Sequence, residues 1–568
     1  MTRHSTRPAV LTFAVINFLV LAGCQTQAKE SAARRLSVDD YVNKMKAGWI
    51  GQMAGVGWGG PTEFHWKGEI IPVAEMPQWK PEMINQFHQD DIYVEMTFLR
   101  TLELYGMDVS IRQAGIDFAN SGYRLWHANR AGRDNLRNGI APPDSGHPKF
   151  NAHADDIDYQ IEADYAGLIA PGLPNVAIEL GEKFGRLMNY GDGLYGGQFV
   201  AGMYAEAFFE DDVIKIIHAG LECIPKGSQY HECIRDVLTW HEQYPDDWQQ
   251  TWKLIEAKYQ DNPDYRRFSC TGPEADFNID AKINGAYIVM GLLYGGGDLD
   301  RTIVISTRCG QDSDCNPANA GGILFTTVGF ENLPDRFTSA LDPEGKFSHT
   351  PYNFPRLVQV CEKLVRQAVT RAGGRVETGR DGREVFVIPV QKPRPSELEQ
   401  CWVPGPIAES KFSDAEMMQI TAVAGQDLSK AIERFAPGWK VARCGSDMDP
   451  GLKSELRGRE NVLLTHPLDH NTGCVLSRTV EIPSGKKTAL HLVVGNDERG
   501  DWDLIIRAGG RQLLRKTIGE QTTNNGWADV KVDLSQFAGE SVKIELINQP
   551  TEWRYEAGLW ATIDIASE

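Results

Sequence analysis

Apolar residues in the first two thirds of this chain recur every three or four positions. Val94, Phe98, Leu102 and Tyr105 form one such stripe, the period of an amphipathic helix. The same reading predicts helical stretches at 41–50, 161–170, 177–189, 196–209, 213–219, 247–259, 281–294 and 299–305. The pattern changes after about Arg371. Residues 375–377 and 384–389 flank Arg380-Asp381-Gly382, a hairpin signal, and residues 392–397, with Pro393 and Pro395, read as a linker. Near the end the period becomes two. Short strands are expected at 477–482, 489–494, 502–507, 512–518, 528–534, 542–547 and 558–565, separated by turn signals. Residues 400–475 are mixed. The expected architecture is multidomain: an all-α domain at 38–371, a hairpin and linker at 372–399, and a jelly-roll-like β-sandwich at 400–568.

The first residues stand outside this scheme. Arg3, His4 and Arg7 precede an apolar run, 9–22, that is too short to span a bilayer. It ends Leu21-Ala22-Gly23-Cys24, which resembles a bacterial lipobox. Residues 1–24 are therefore expected to be a lipoprotein signal peptide. Cys24 would be the lipidated residue and 25–37 a polar tether. The chain is expected to be exported and lipid-anchored, on the outer membrane or a periplasmic face. Nine cysteines remain after Cys24. Outside the cytoplasm an odd number leaves at least one free thiol, and Cys223 and Cys233 are close enough in sequence to pair.

Charge narrows the partners. Among 568 residues, 77 are acidic and 58 basic, a formal net charge of -19. No basic excess exists to neutralise phosphates, so nucleic acid is not an expected partner.

Carboxylates carry the candidate chemistry. Asp312-Ser313-Asp314 precedes Cys315-Asn316-Pro317 and a run of small residues. Pro317 suits the first turn of a helix. Two anions at a helix N-terminus gain from the helix dipole and repel each other, and a divalent cation removes the repulsion. Capping alone explains such a pair when it is isolated. Here Asp90 and Asp91 open a second helix, and Glu63 follows a glycine-rich helix broken by Gly59-Gly60-Pro61. Two acidic pairs at two helix N-termini can face each other and hold one or two hard ions. Residues 125–158 read as a long loop rich in Gly, Pro, Asn, His and Asp. In or just after it, His153, Asp155, Asp156, Asp158 and Glu162 are candidate sugar-pocket residues, with a solvated acidic loop and helix N-terminal charge as the plainer alternatives. The turn at 190–197 lacks the Gly-Lys-Ser/Thr ending of a phosphate loop.

Three stretches, Gly51 to Glu63, Gln89-Asp90-Asp91 and Gly310 to Gly321, in this order resemble the motifs of the ADP-ribosylglycohydrolase family. The resemblance spans about 38–337. It implies an all-helical domain with a site for one or two Mg²⁺ ions (or Mn²⁺, or Ca²⁺). Asp90, Asp91, Asp312 and Asp314 would be ligands, joined by Gln89 and Cys315 at positions where the family places hydroxyl ligands. Glu63 matches the family's flexible glutamate. Glu63, Asp91 and Asp312 are the catalytic candidates, one of the carboxylates acting as base. The chain departs from the family at Val56, Ile92 and Cys315; thiolate suits a hard ion poorly. Pairing of Cys315 with Cys309 would exclude thiolate ligation.

These departures, the exported start and a sandwich with outward-looking Trp502, Trp527, Trp553 and Trp560 favour a glycosidase acting on an extracytoplasmic sugar or glycan. Such aromatics occur in carbohydrate-binding modules; core tryptophans are the plainer account. Hydrolysis of ADP-ribosyl or nucleoside-like N-glycosides is the second reading, and a catalytically silent glycan-binding lipoprotein the third.

Overall fold

Ser37 starts the first long helix, Val38–Gly59, by accepting a hydrogen bond from the Asp40 amide at 3.0 Å. The helix buries Tyr41, Met45, Trp49, Ile50 and Met53 completely. Its far half packs on the helix Cys315–Val328 with no room for side chains between them. A Cβ on Gly51, Gly55 or Gly59 would lie 2.4, 2.2 or 2.1 Å from the carbonyl oxygens of Gly321, Pro317 or Ser313. Glycine at every fourth position lets the two backbones touch. These features come from a computed structural model, which describes residues 32–417, 419–420, 428–445, 447–468, 470–552 and 555–568. Cys24 and the segment expected to be a signal peptide lie outside the described residues.

The remaining helices, including Asp90–Tyr105, Ala281–Gly295 and Leu299–Arg308, wrap this pair into one helical domain with a continuous apolar core. The stretch at 125–158 is not all loop. It contains the helix His127–Arg137, whose first amides are capped from a distance: Ala128 and Asn129 donate to the Asp158 carboxylate at 3.2 and 2.9 Å. A cap about thirty residues away leaves no local start signal in the sequence. Residues 33–37, expected to belong to a tether, instead form strand β1 (Ala33–Ser37), which pairs antiparallel with β3 (Glu384–Pro389). With β2 (Arg375–Thr378) they make a three-stranded sheet in the order β1-β3-β2. The expected hairpin therefore exists, and the chain preceding the first helix completes its sheet. The stretch after it is fastened to the helical domain, with Arg186 donating to Glu399 at 2.9 Å and Cys401 donating to the Tyr190 carbonyl at 3.3 Å.

The C-terminal domain is an antiparallel sandwich. Its strands are β4 (Lys440–Ala442), β5 (Gly451–Leu456), β6 (Arg459–Thr465), β7 (Cys474–Glu481), β8 (Thr488–Asn496), β9 (Trp502–Ala508), β10 (Arg511–Ile518), β11 (Trp527–Asp533), β12 (Ser541–Gln549) and β13 (Gly558–Ser567). They form two five-stranded sheets ordered β10-β9-β12-β7-β4 and β11-β8-β13-β6-β5. All seven expected strands are present; the mixed stretch supplies β4, β5 and β6.

Two of the tryptophans read as outward-looking, Trp502 and Trp560, lie in the core between the sheets. Trp502 and Trp560 are fully buried with ring centroids 5.3 Å apart, and Trp527, on the edge strand β11, is buried on the other face of its sheet with Val462, Leu464 and Leu559. Each indole N–H is satisfied internally, by the Gly495 carbonyl, the Thr465 hydroxyl and the Arg457 carbonyl respectively. Trp553 lies outside the described residues. Cys223 and Cys233, expected to be able to pair, are both free and buried, and the remaining described cysteines are free as well, Cys309 and Cys315 included. Each of the first two donates to a different carbonyl, Ala219 and Lys282.

Candidate active site

The glycine contact between the helices Val38–Gly59 and Cys315–Val328 also places the acidic residues. The chain leaving the first helix at Gly59 meets the chain entering the second at Ser313, and Thr62 and Ser313 hydroxyls lie 2.9 Å apart. Glu63 is thereby brought to Asp312 and Asp314: ligand oxygens of the three lie within 4.8 Å of one another. The loop before Asp312 turns through Gly310 (φ +85°) and Gln311 (φ +56°). A Cβ on Gly310 would meet the Glu69 carbonyl at 2.7 Å, so glycine is needed both for the turn and for the approach. Gln311 ties the neighbouring loops together. Its backbone amide donates to the Trp66 carbonyl, and its side chain accepts from the Asn278 amide and donates to the Asp276 carbonyl, all at 2.9 Å.

From the other side comes the helix Asp90–Tyr105. Asp91, Asp314 and Cys315 also place ligand atoms within 4.8 Å of one another, with Asp314 common to both groups. Asp90 is half-buried at the same helix start. Gln89 is the residue before that helix; its side chain makes no cap, and its amide nitrogen faces Gly60 at the turn before Glu63. Glu63, Asp90, Asp91, Asp312 and Asp314 thus form one carboxylate cage.

Its electrostatics are those of crowded anions. Burial, then the charges of Asp314 and Asp90, push Glu63 up to about 9. Burial, then Asp314, push Asp90 up to about 6 against the pull of its own helix amides. The same two causes raise Asp91 and Asp312 well above the carboxylate range. Cys315 is a protonated thiol here, raised by burial and by the surrounding aspartates. It donates to Asp91 Oδ2 at 3.3 Å and approaches Asp314 Oδ1 at 3.6 Å. Asp91 Oδ1 and Asp312 Oδ1 are buried with no hydrogen-bond partner. Buried carboxylate oxygens without donors are costly unless a cation answers them. An all-oxygen set of this kind fits a hard divalent ion.

Buried neighbours hold the cage from behind. Gln52 donates to Glu95 at 2.6 Å, and Glu95 accepts the Tyr165 amide at 2.9 Å. Asp164 accepts from Asn319 at 2.7 Å and from the Tyr204 hydroxyl.

The residues expected to bind sugar divide. Asp158 caps the helix His127–Arg137, and Glu162 accepts from Asn129 of that helix, so both support it. Both feel the charge of Asp90. His153 and Asp156 belong to a second cluster. Asp156 is fully buried, and its Oδ2 lies 2.6 Å from His153 Nδ1, 3.6 Å from His127 Nδ1 and 3.4 Å from Cys270 Sγ. Asp155 and Asp280 flank it. Phe277 stands between the two clusters, its ring 5.0 Å from Phe64 and 6.0 Å from His127.

Sequence reasoning missed His127, Cys270, Phe277 and Asp280. They come from three separate segments, and only His153-x-x-Asp156 left a local mark. The Gly-Pro-rich loop around Cys270 was the one other signal.

A family model for ADP-ribosylglycohydrolases matches residues 37–373. No curated protein matches the chain. Among solved structures, the chain is similar to an "ADP-ribosylglycohydrolase-related protein complex", with 14% identity over 58% of this chain and 99% of that one, at a TM-score of 0.38. It is also similar to a cyclase from Fischerella sp. TAU, with 14% identity over 23% of this chain and 74% of that one, at a TM-score of 0.17. A third is the CBM35 from Paenibacillus barcinonensis, with 11% identity over 23% of this chain and 94% of that one, at a TM-score of 0.18.

Proposed function

This chain belongs to the ADP-ribosylglycohydrolase family, and from that premise we propose that it is a metal-dependent glycosidase acting on an extracytoplasmic sugar or glycan. Membership supports a hydrolase of this fold, and enzymes of the family are metal-dependent. The observation that carries the reading is the cage: Glu63, Asp91, Asp312 and Asp314 converge with Asp90 beside them, and two of its buried oxygens have no donor. Asp90, Asp91, Asp312 and Asp314 would hold one or two Mg²⁺ or Mn²⁺ ions, with Gln89 at the edge. Such an ion supplies positive charge for sugar hydroxyls and acidifies bound water.

The chain's own residues do the rest. Glu63 stands beside Asp312 and Asp314, and burial with the neighbouring aspartates raises its pKa, so it is placed to exchange a proton with water or with the leaving-group oxygen. The loop bearing it is pinned by the Thr62–Ser313 contact and by the Phe64 amide donating to the Gln311 carbonyl at 3.3 Å. Asp91 and Asp312 each keep one buried oxygen without a donor and would be among the residues that hold the ion. Cys315 donates its thiol proton to Asp91, which explains how a thiol is accommodated where the family has a hydroxyl.

The sugar or glycan reading rests on three further features. The chain departs from the family at Val56, Ile92 and Cys315. Its first residues read as an export signal with lipidation at Cys24. The sandwich reaches the helical domain at the helix His127–Arg137, where Asp447 pairs with Arg130 at 2.8 Å. Family membership favours a second reading, hydrolysis of an ADP-ribosyl or related N-glycoside.

A panel of aryl glycosides and ADP-ribosyl substrates, run with wild type and Asp312→Asn, tests this. Wild type should hydrolyse at least one glycoside, chelator should stop it, and Asp312→Asn should lose on the order of 10³-fold in rate, about 4 kcal/mol. Turnover of ADP-ribosyl substrates alone would establish the second reading. Glycan binding without hydrolysis, unchanged in Asp312→Asn, would leave a binding protein.

A further inference from the structure

The second cluster contains nitrogen and sulfur donors, which the carboxylate cage does not use. We propose that His127, His153, Asp156 and Cys270 form a four-ligand zinc site, separate from the cage. It would tie the 266–277 loop to the 153–158 segment.

One ligand atom from each of the four residues lies within 4.8 Å of all the others. Around zinc, with bonds of about 2.0–2.3 Å, tetrahedral ligands stand roughly 3.3–3.7 Å apart. The separations from Asp156 Oδ2 to Cys270 Sγ and to His127 Nδ1 are 3.4 and 3.6 Å, within that range. His153 Nδ1 is closer, at 2.6 Å, because it now hydrogen-bonds to the carboxylate. It must open by about 1 Å for both atoms to bind one tetrahedral ion. Two imidazoles, a thiol and a carboxylate form a borderline set. It suits Zn²⁺ and is poor for Mg²⁺ or Ca²⁺.

Charge points the same way. Asp156 is fully buried, and its Oδ1 has no hydrogen-bond partner. Asp155 and Asp280, also buried, place carboxylate oxygens within 4.8 Å of it. Lys282, 3.3 Å from Asp280, answers one of these three charges. A divalent cation at the His–Cys side, bound with the Cys270 thiolate, answers one more.

The frame is already built. Asp156 bridges to Asp280 in a short antiparallel contact, and the Ile157 amide donates to the Ile279 carbonyl at 3.1 Å. The Cys270 loop is wound around the Arg266 guanidinium. That group donates to the Ala275 and Phe277 carbonyls at 2.8 and 3.1 Å and to the Thr271 hydroxyl at 2.9 Å. The loop thus holds its cysteine in place without regular secondary structure. The side chains of His127 and His153 are 26% and 33% exposed, which leaves an entry path for an ion. Four protein ligands leave no open position, so the site is a clamp rather than a second catalytic centre.

Metal-stripped full-length protein titrated with Co²⁺, then with Zn²⁺ against a chromophoric chelator, tests the proposal. Wild type should show a thiolate-to-cobalt charge-transfer band that Zn²⁺ displaces. Cys270→Ser should lose the band and bind Zn²⁺ more weakly, by more than the roughly 10- to 100-fold typical of losing an outer-shell partner. Asp312→Asn should keep the band. A band of full strength in Cys270→Ser, or its loss in Asp312→Asn, would overturn the assignment. If circular dichroism shows Cys270→Ser unfolded, His153→Ala decides: Zn²⁺ affinity equal to wild type overturns the site, and a comparable loss upholds it.

Discussion

The interiors of the two domains differ in kind. The sandwich buries Trp502, Trp560, Leu490, Leu492, Val494 and Ile544, an apolar core of the ordinary sort. The helical domain buries Asp91, Glu95, Asp156, Glu162, Asp164, Asp312 and Asp314 inside an apolar shell. Transfer of unpaired charge from water costs several kcal/mol per ion, so carboxylates do not gather in a core for stability. Their gathering marks where chemistry is done. Among the described residues of the sandwich, Trp502 and Trp560 mark where packing is done. The same residue types that suggested sugar-stacking faces in the sequence are its largest core pieces.

The largest expected effect on this contrast is a stability loss in the sandwich. Trp560 is fully buried against Trp502 and donates to the Thr465 hydroxyl at 2.9 Å. Trp560→Ala leaves a cavity, while the Thr465 hydroxyl keeps Asn548 and Gly558 as partners, and should cost about 3–5 kcal/mol. Denaturant unfolding should show that loss, while hydrolysis of a small substrate at the cage should remain within a few-fold of wild type. A fall in hydrolysis as deep as that of Asp312→Asn would break the division of labour between the domains.

A smaller effect sharpens the helical half. Glu63 stands at about 9 in the folded chain against an ordinary 4.5, and Asp90 at about 6 against 3.8. The folded state therefore holds these protons more tightly than the unfolded state. Stability is lost as pH rises, between 4.5 and 9 for Glu63 and between 3.8 and 6 for Asp90. Asp158 and Glu256, raised to about 7 by burial, add to the same slope. Metal-free protein should accordingly melt several degrees lower at pH 8 than at pH 5. Glu63→Gln should flatten part of the slope, and millimolar Mg²⁺ should raise the melting temperature at pH 8 more than at pH 5. A melting temperature indifferent to Mg²⁺ at pH 8 would remove the ion from the cage.

The contrast also explains what the sequence revealed. Helices and strands with a clean period of three to four or of two were legible, because packing against one face imposes that period. The cage was legible because its parts sit at helix starts, where Asp90-Asp91 and Asp312-x-Asp314 leave compact marks, and because a glycine-rich helix precedes Glu63; the four-residue register of Gly51, Gly55 and Gly59 emerged only in the structure. The helix His127–Arg137 was not legible, since its cap is Asp158 rather than a neighbour. Strand β4 was hidden by its short length, three residues, and β6 by a run of exposed residues followed by a run of buried ones. Which face a tryptophan takes in a sandwich depends on register, and one residue of slip reverses it. The zinc cluster joins segments more than a hundred residues apart, beyond any local pattern.

The smallest effect concerns the seam between the two domains. Arg130, on the helix that Asp158 caps, pairs with Asp447 of the sandwich at 2.8 Å, with side chains 23% and 48% exposed. Arg124, nearer the cage, feels Arg499, Asp497 and Tyr555 from the same side. An exposed pair of this kind is worth about 0–1 kcal/mol, because solvent screens it and two long side chains must be ordered. Asp447→Asn should therefore leave the melting temperature within about 2 °C of wild type. It should also leave small-glycoside hydrolysis unchanged. If the sandwich serves to carry a polymer to the cleft, the same variant should lower kcat/KM for a long glycan by a few-fold while sparing the aryl glycoside. Equal loss on both substrates would mean that Asp447 acts on the cage through Arg130 and its helix, and the sandwich would then belong to the catalytic unit rather than stand beside it.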